Sequence, residues 1–194
     1  MEKGKIILLN GVSGAGKTTL SKVLQSQLDV PFYHICCDDF MNMTPIQILR
    51  DDLDNQLLIT QDIMHEAIQL FSSKGHHVIV DDVVLDLPDK NDWLFEYVTM
   101  FADYPVLFVR VDCPLEELER REVYRGDRTI GQSKWQLAHT YTDIPYDLIV
   151  NTHANTTEEC ARQIKGMIHK QEQWRAFQVL KKCFDQERSV NSKE

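Results

Sequence analysis

An α/β fold, in which a five-stranded parallel sheet carries helices on both faces, follows from three observations in this sequence. Gly11-Val-Ser-Gly-Ala-Gly-Lys17-Thr18 meets the pattern G-x-x-x-x-G-K-[ST] at every fixed position, and it stands between a short apolar run and a stretch of helical periodicity. Further apolar runs of strand length recur downstream, separated by segments whose apolar residues fall at helical spacing. At 194 residues the chain suits one domain spanning 1–194, and no repeat, low-complexity segment or linker divides it.

Lys5-Ile-Ile-Leu-Leu-Asn10 is the first strand. Leu20, Val23, Leu24 and Leu28 recur as one face of the first helix, so the glycine-rich loop opens onto a helix N-terminus. Pro31 to Cys37 is a second strand ending at Asp38-Asp39. Residues 51–73 read as a helix with Leu57, Ile63, Met64, Ala67, Ile68 and Phe71 on its buried side, stopped by Gly75. His77-Val-Ile-Val80 is a third strand ending at Asp81-Asp82. Asp89 to Phe101 is helical, and Val106 to Val111 is a fourth strand. Pro114 suits the first turn of the next helix, which breaks at Gly126. Tyr146 to Val150 is the fifth strand, and Thr156-Thr-Glu-Glu159 is a capping box that opens the C-terminal helix.

Composition narrows the function classes. A formal net charge of −9 argues against broad nucleic-acid or membrane-surface binding, and no apolar stretch approaches the ~20 residues that span a membrane. The N-terminal residues lead into the first strand without a signal-peptide pattern. Five cysteines (Cys36, Cys37, Cys113, Cys160, Cys183) show no C-x-x-C pairing, and the seven histidines show no metal-ligand spacing. A cytoplasmic enzyme with neither disulfide framework nor structural zinc is expected. Trp93, Trp135 and Trp174 are expected as packing groups, and Met41 and Met43 as filler or as contacts to an apolar substrate.

The motif assigns chemistry to particular residues. Gly11, Val12, Ser13, Gly14, Ala15 and Gly16 curl backbone N–H groups around a di- or triphosphate, continued by Lys17, Thr18 and Thr19. A Cβ at Gly16 would crowd the phosphates. Lys17 reaches the β- and γ-phosphates, and the Thr18 hydroxyl suits Mg2+. In a parallel sheet ligands bind outside the carboxyl ends of the strands, which puts Asp38, Asp39, Asp81 and Asp82 on the rim that carries this loop. Asp81, the first residue past an apolar run, has the form of a Walker-B aspartate and is expected to support the metal. Asp38 or Asp39 is then free to accept the proton of an alcohol, or to cap the following helix. Arg120, Arg121, Arg125 and Arg128 crowd together in an acidic protein, and at least one is expected to face phosphate, although Glu116, Glu117, Glu119 and Glu122 could pair with them.

Taken together these features resemble the chloramphenicol phosphotransferase family of P-loop kinases, from Ile6 to about Ile168. The resemblance rests on Ile7 to Thr18, Asp38, Val78-Ile-Val-Asp-Asp-Val83, Arg125-Gly-Asp-Arg128, Gln136 to Tyr141, Tyr146 to Thr152 and Glu159-Cys-Ala161. It implies a P-loop kinase fold with a helical lid at about 116–141. It implies Asp38 as catalytic base, with Asp39 where a serine is usual, and Arg125 and Arg128 as lid arginines that close over the nucleotide. Phe40 to Pro45 keeps the apolar character of the family's acceptor pocket, whereas residues 46–62 diverge.

The expected function is therefore ATP- and Mg2+-dependent transfer of phosphate to a hydroxyl of a small molecule. Lys17, Asp38 and Arg128 would be catalytic, Arg121 and Arg125 would hold the nucleotide, and Thr18 and Asp81 the metal. His139 could line the acceptor pocket or be purely structural. A nucleoside or sugar kinase and a nucleotide-binding switch that transfers nothing are the alternatives. Beyond the resemblance, a helical extension at 171–194 carries an apolar stripe through Trp174, Phe177, Leu180 and Phe184. It either breaks near Lys170 to Gln173 and folds back, or projects to form a homodimer.

Overall fold

Ile6 to Asn10 is buried along its whole length, as a strand must be when a parallel sheet is covered on both faces. A computed structural model gives the architecture and describes residues 2–87, 92–125 and 129–191. In chain order the elements are β1 (Ile6–Asn10), α1 (Lys17–Gln27), β2 (Phe32–Cys36), α2 (Cys37–Met41), α3 (Ile46–Asp51), α4 (Leu53–Ser73), β3 (His77–Asp82) and α5 (Trp93–Phe101). They continue with β4 (Val106–Asp112), α6 (Leu115–Arg125), α7 (Gln132–Ala138), β5 (Leu148–Asn151), α8 (Thr157–Ile168) and α9 (Ala176–Asn191), with a 3-10 turn at Gln171–Gln173.

The sheet is parallel with strand order β2-β3-β1-β4-β5. Strand alternation sorts its side chains onto two cores. Ile6, Leu8, Val78, Val80 and Phe108 face α4, α5 and α9, while Ile7, Leu9, Ile79, Val109 and Val111 face α1, α6 and α8. Register brings the strand ends level. Cys36 of β2 and Leu9 of β1 both lie opposite Asp81 of β3, and Asn10 lies opposite Asp82. The carboxyl ends, the glycine-rich loop and the start of α2 thus share one rim.

Glycine is required at two places near that rim. Gly11 runs so close to β4 that a Cβ would stand 2.5 Å from the Val111 carbonyl oxygen. Gly16, the N-cap of α1, has φ near 90°, which an L side chain seldom adopts. A Cβ at Gly16 would meet its nearest neighbours at ordinary contact distance, so within the chain this glycine is needed for its backbone conformation.

Three expectations change in detail. Asp38 and Asp39 belong to the first turn of α2, and a further short helix, α3, precedes α4. On α4 the buried side runs through Thr60, Gln61, Met64, His65 and Ile68, and Ile63 is 53% exposed. At 3.6 residues per turn, Ile63 lies about 130° round the helix from the centre of that face, on the solvent side. Trp135 is also largely exposed and stacks on His139 with ring centroids 4.5 Å apart, whereas Trp93 and Trp174 are buried as expected.

The C-terminal segment folds back. Helix α8 opens with the expected capping box at Thr156 and Glu159 and ends at Ile168; the 3-10 turn then reverses the chain. Asp147 fixes the start of α9, its Oδ1 accepting the Arg175 and Ala176 amides while Oδ2 accepts the Phe108 amide. Trp174, Phe177 and Leu180 are buried against the chain's own core, and Phe184 meets Phe95 edge to face at 5.4 Å. The stripe expected as a dimer surface is therefore covered by the chain itself. Among the described residues no helix is long and apolar enough to cross a membrane.

Candidate active site

The site grows from the junction of β1 with α1. Lys17 and Thr18 occupy the first turn of α1, where amides have no carbonyl four residues back to bond, and the helix dipole adds to this electropositive end. Lys17 is buried, and its Nζ donates to the carbonyls of Gly11 at 2.8 Å and Val12 at 3.3 Å. The same ammonium lies 3.5 Å from Asp81 Oδ1, while Thr18 Oγ1 donates to Asp81 Oδ2 at 2.6 Å. Burial alone would raise the Asp81 carboxyl. The Lys17 charge and the hydrogen bonds outweigh it and hold the group down at about 2.

The neighbouring aspartates divide by strand alternation. Asp81 points to the α1 side of the sheet with Ile79, and Asp82 points to the α4–α5 side with Val80. Asp82 accepts from Gln61 Nε2 at 3.0 Å, Tyr97 OH at 2.7 Å and the Val83 amide at 2.8 Å. It is spent on holding α4 and α5 to the rim, which leaves Asp81 as the carboxylate beside Thr18. Thr18 and Asp81 together offer hard oxygen donors, one neutral and one ionised, of the kind Mg2+ takes.

Asp38 is exposed in α2, two residues beyond the position level with Asp81, and Asp39 is exposed beside it. The arginines separate into distinct tasks. Arg120 is 69% exposed and pairs bidentately with Glu117 at 2.7 and 2.8 Å, the solvated helix-face arrangement. Arg121 also takes Glu117, at 2.7 Å, and donates to the Gly14 carbonyl and to both oxygens of Thr152 at 3.0–3.1 Å. It thereby ties α6 to the glycine-rich loop and to the turn after β5. Arg125 is exposed and lines a hollow of about 270 Å3 with Gly14, Gly16, Thr19, Arg121, Tyr124, Thr152 and Thr157. Arg128, and the helix break expected at Gly126, lie outside the described residues.

Three residues at the site carried no functional assignment in the sequence. Gln136, buried in α7, accepts the Ser13 amide on its Oε1 at 2.6 Å, so the segment expected as a lid touches the glycine-rich loop directly. Glu122 positions that helix by accepting the Gly131 and Ser133 amides at 2.6 and 2.9 Å. His34 on β2 stands 3.6 Å from Asp81 Oδ2. Gln136 opens a stretch that carries the family resemblance but had no role there, and no local motif marks Glu122 or His34. All three are found only when strand register and the α6–α7 turn are known. His139, the other histidine considered, donates Nδ1–H to the Trp135 carbonyl at 2.8 Å.

Comparison with known proteins gives these features a context. The family model described as chloramphenicol phosphotransferase-like protein matches residues 4–169. A Mycobacterium tuberculosis protein provisionally named O-phosphotransferase is 29% identical over 208 aligned residues, covering 95% of this chain and 91% of its own length. Among solved structures, the Mycobacterium tuberculosis APS kinase in complex with AMPPNP and APS superposes with a TM-score of 0.63 at 19% identity, over 87% of this chain and 99% of its own. The shikimate kinase of Acinetobacter baumannii in complex with shikimate superposes with a TM-score of 0.59 at 13% identity, over 87% of this chain and 94% of its own. These structural likenesses establish the fold.

Proposed function

We propose, for a chain that belongs to the chloramphenicol phosphotransferase-like family and is a phosphotransferase acting on a hydroxyl, that the γ-phosphoryl group of ATP passes to an alcohol of a small organic molecule. One observation carries the reading: Lys17 Nζ, Thr18 Oγ1 and the Asp81 carboxylate meet within 3.5 Å at the N-terminus of α1. Few structural needs would gather an ammonium, a hydroxyl and an ionised carboxylate there, and triphosphate binding needs all three.

In this reading the amides of the glycine-rich loop and of Lys17, Thr18 and Thr19 hold the phosphates, and Lys17 turns from the Gly11 and Val12 carbonyls to the β- and γ-oxygens. Thr18 and Asp81 would hold Mg2+, which neutralises charge on the β- and γ-phosphates when bound. Asp38 orients the acceptor alcohol and takes its proton as the oxygen attacks the γ-phosphorus. The bond from that phosphorus to the β-bridging oxygen breaks, giving a phosphate ester and ADP. Arg125 and Arg128 stabilise charge on the transferring group, and Arg121 holds the walls of the hollow in which the nucleotide lies. The enzyme would work in the cytoplasm, where ATP is supplied. With the C-terminal stripe covered by its own core, a homodimer would have to use another surface.

ADP release with ATP, Mg2+ and a panel of small alcohols, chloramphenicol and simple nucleosides and sugars among them, tests the reading. Release above the hydrolysis background, with the ester seen by mass, is expected for at least one member and should vanish in Lys17→Ala. Tight ATP binding with no ester from any alcohol, and hydrolysis indifferent to Asp38→Asn, would replace the kinase by a nucleotide-binding switch.

A further inference from the structure

His34 carries an atom that its surroundings leave unsatisfied. Its Nε2 is buried and has no hydrogen-bond partner among the described residues. A buried polar atom left unpaired forfeits its bond to water without gaining another, so such an atom in a well-packed strand calls for an explanation. The nearest opposite group is Asp81 Oδ2, 3.6 Å away and just beyond hydrogen-bond length. Phe32, two residues earlier on β2, belongs to the α1-side core, and so does Ile79 on β3. Alternation therefore turns His34 and Asp81 to the same side of the sheet.

Among the described residues, the short hydrogen bond and the nearest ammonium on the Asp81 carboxylate both come from α1. Thr18 takes Oδ2 and Lys17 approaches Oδ1, and both residues stand on the first turn of one helix. A carboxylate held from one side can still swing about its terminal torsion, which is broad and two-fold. Closing the gap from 3.6 Å to a normal bond would bring in an Nε2–H from the β2 side, satisfying the orphan nitrogen and fixing the carboxylate plane together. Ionised carboxylate has acceptor capacity for this beyond what Thr18 and Lys17 use.

We propose that His34 is a positioning residue for the phosphoryl-transfer site: it fixes the Asp81 carboxylate from the β2 side so that the group meets Mg2+ in one orientation. The inference rests on Asp81 supporting the metal, as proposed above. Outer-shell partners of metal-supporting groups generally affect metal affinity by about 10–100-fold when removed. His34 sits at the low end, since Thr18 and Lys17 remain.

The experiment measures binding of AMPPNP by calorimetry, with Mg2+ titrated in and separately with EDTA, for the parent, His34→Phe, His34→Gln and Asp81→Asn, each first shown folded by thermal melting. His34→Phe keeps a ring and loses the donor. It should raise the Mg2+ half-saturation by about 10-fold while leaving AMPPNP affinity in EDTA unchanged. His34→Gln puts an amide N–H near the place of Nε2 and should recover to within about 3-fold of the parent. An unchanged Mg2+ requirement in His34→Phe overturns the proposal. So does an equal loss of affinity in EDTA, or a Gln variant no better than Phe. Asp81→Asn separates the two levels: if it leaves Mg2+ dependence intact, the role of Asp81 fails first. If it abolishes that dependence while His34→Phe has no effect, only the role of His34 fails.

Discussion

Replacing Asp82 by alanine should cost stability and spare nucleotide handling, the reverse of what replacing Asp81 should do. The side chain of Asp82 is buried and accepts from Gln61 Nε2, Tyr97 OH and the Val83 amide. Gln61 and Tyr97 are themselves buried, so their donors would be left without acceptor or water; each such loss costs roughly 1–3 kcal/mol. The Val83 amide is only part-buried and can recover a water. Against this, alanine removes a carboxylate whose own burial is unfavourable, and the groups left behind are neutral rather than charged. The donors win, by about 2–4 kcal/mol net. For a chain of this size that is a fall of roughly 5–15 °C in melting temperature. Circular dichroism melts at neutral pH measure it, and AMPPNP titration well below the melt should give a Mg2+ half-saturation within about 3-fold of the parent. A melting temperature unchanged within 2–3 °C, or a lost Mg2+ dependence in the folded variant, would refute the division of the two aspartates between the faces of the sheet.

Other expectations follow from the same geometry. Asp38→Asn should lower transfer by about 100-fold or more with ATP affinity nearly unchanged, while Asp39→Asn should do much less; single-turnover ADP release checks both. Gln136→Ala frees the Ser13 amide and unpins α7, and should lower kcat more than ATP affinity, read from steady-state kinetics beside calorimetry. The Asp81 carboxyl is held down at about 2 in the folded chain against an ordinary value near 4. Its stabilisation is therefore complete above pH ~4 and lost as pH falls through ~2. Urea unfolding between pH 5 and 2 should show this acid loss, roughly 2 kcal/mol, in the parent and not in Asp81→Asn.

Most of the sheet could be read from the sequence because each strand is a short apolar run and each is buried on both faces. The glycine-rich loop was equally legible, since its function depends on backbone conformation and a few fixed side chains. The limits lie where tertiary contacts override local pattern. Ile63 looks like a core residue by hydropathy and is exposed. Thr60, Gln61 and His65 look like surface and are buried: Gln61 finds Asp82 inside the fold, Thr60 returns its hydroxyl to the Gln56 carbonyl, and His65 packs edge-on against the Tyr97 ring. Arg121 was expected at the nucleotide and does border the hollow, but its donors are committed to Glu117, Gly14 and Thr152. A helical period could not reveal that, because Gly14 and Thr152 lie 107 and 31 residues away.

The two adjacent aspartates also explain why nucleotide handling is more legible than the acceptor. Successive residues of β3 point to opposite faces, so Asp81 joins Lys17, Thr18 and His34 on the α1 side while Asp82 joins Gln61 and Tyr97 on the α4–α5 side. On the α1 side Lys17, Thr18, Asp81 and His34 are set by the glycine-rich loop, the first turn of α1 and the ends of β3 and β2, a compact arrangement. On the other side the rim is built from α2, the turn after it, α3 and the start of α4, where Met43, Ile46, Ile48 and Leu53 are exposed. Asp38 stands at the seam, anchored to β2 but carried on the first turn of α2. If Asp38 acts as proposed, the distance from the alcohol to the phosphate depends on β2. What surrounds the alcohol depends on residues 40–58, where no motif constrains the side chains. One face of the sheet can then keep its chemistry while the other changes its substrate, and in this chain acceptor identity is to be sought in α2, α3 and α4 rather than at the phosphate loop.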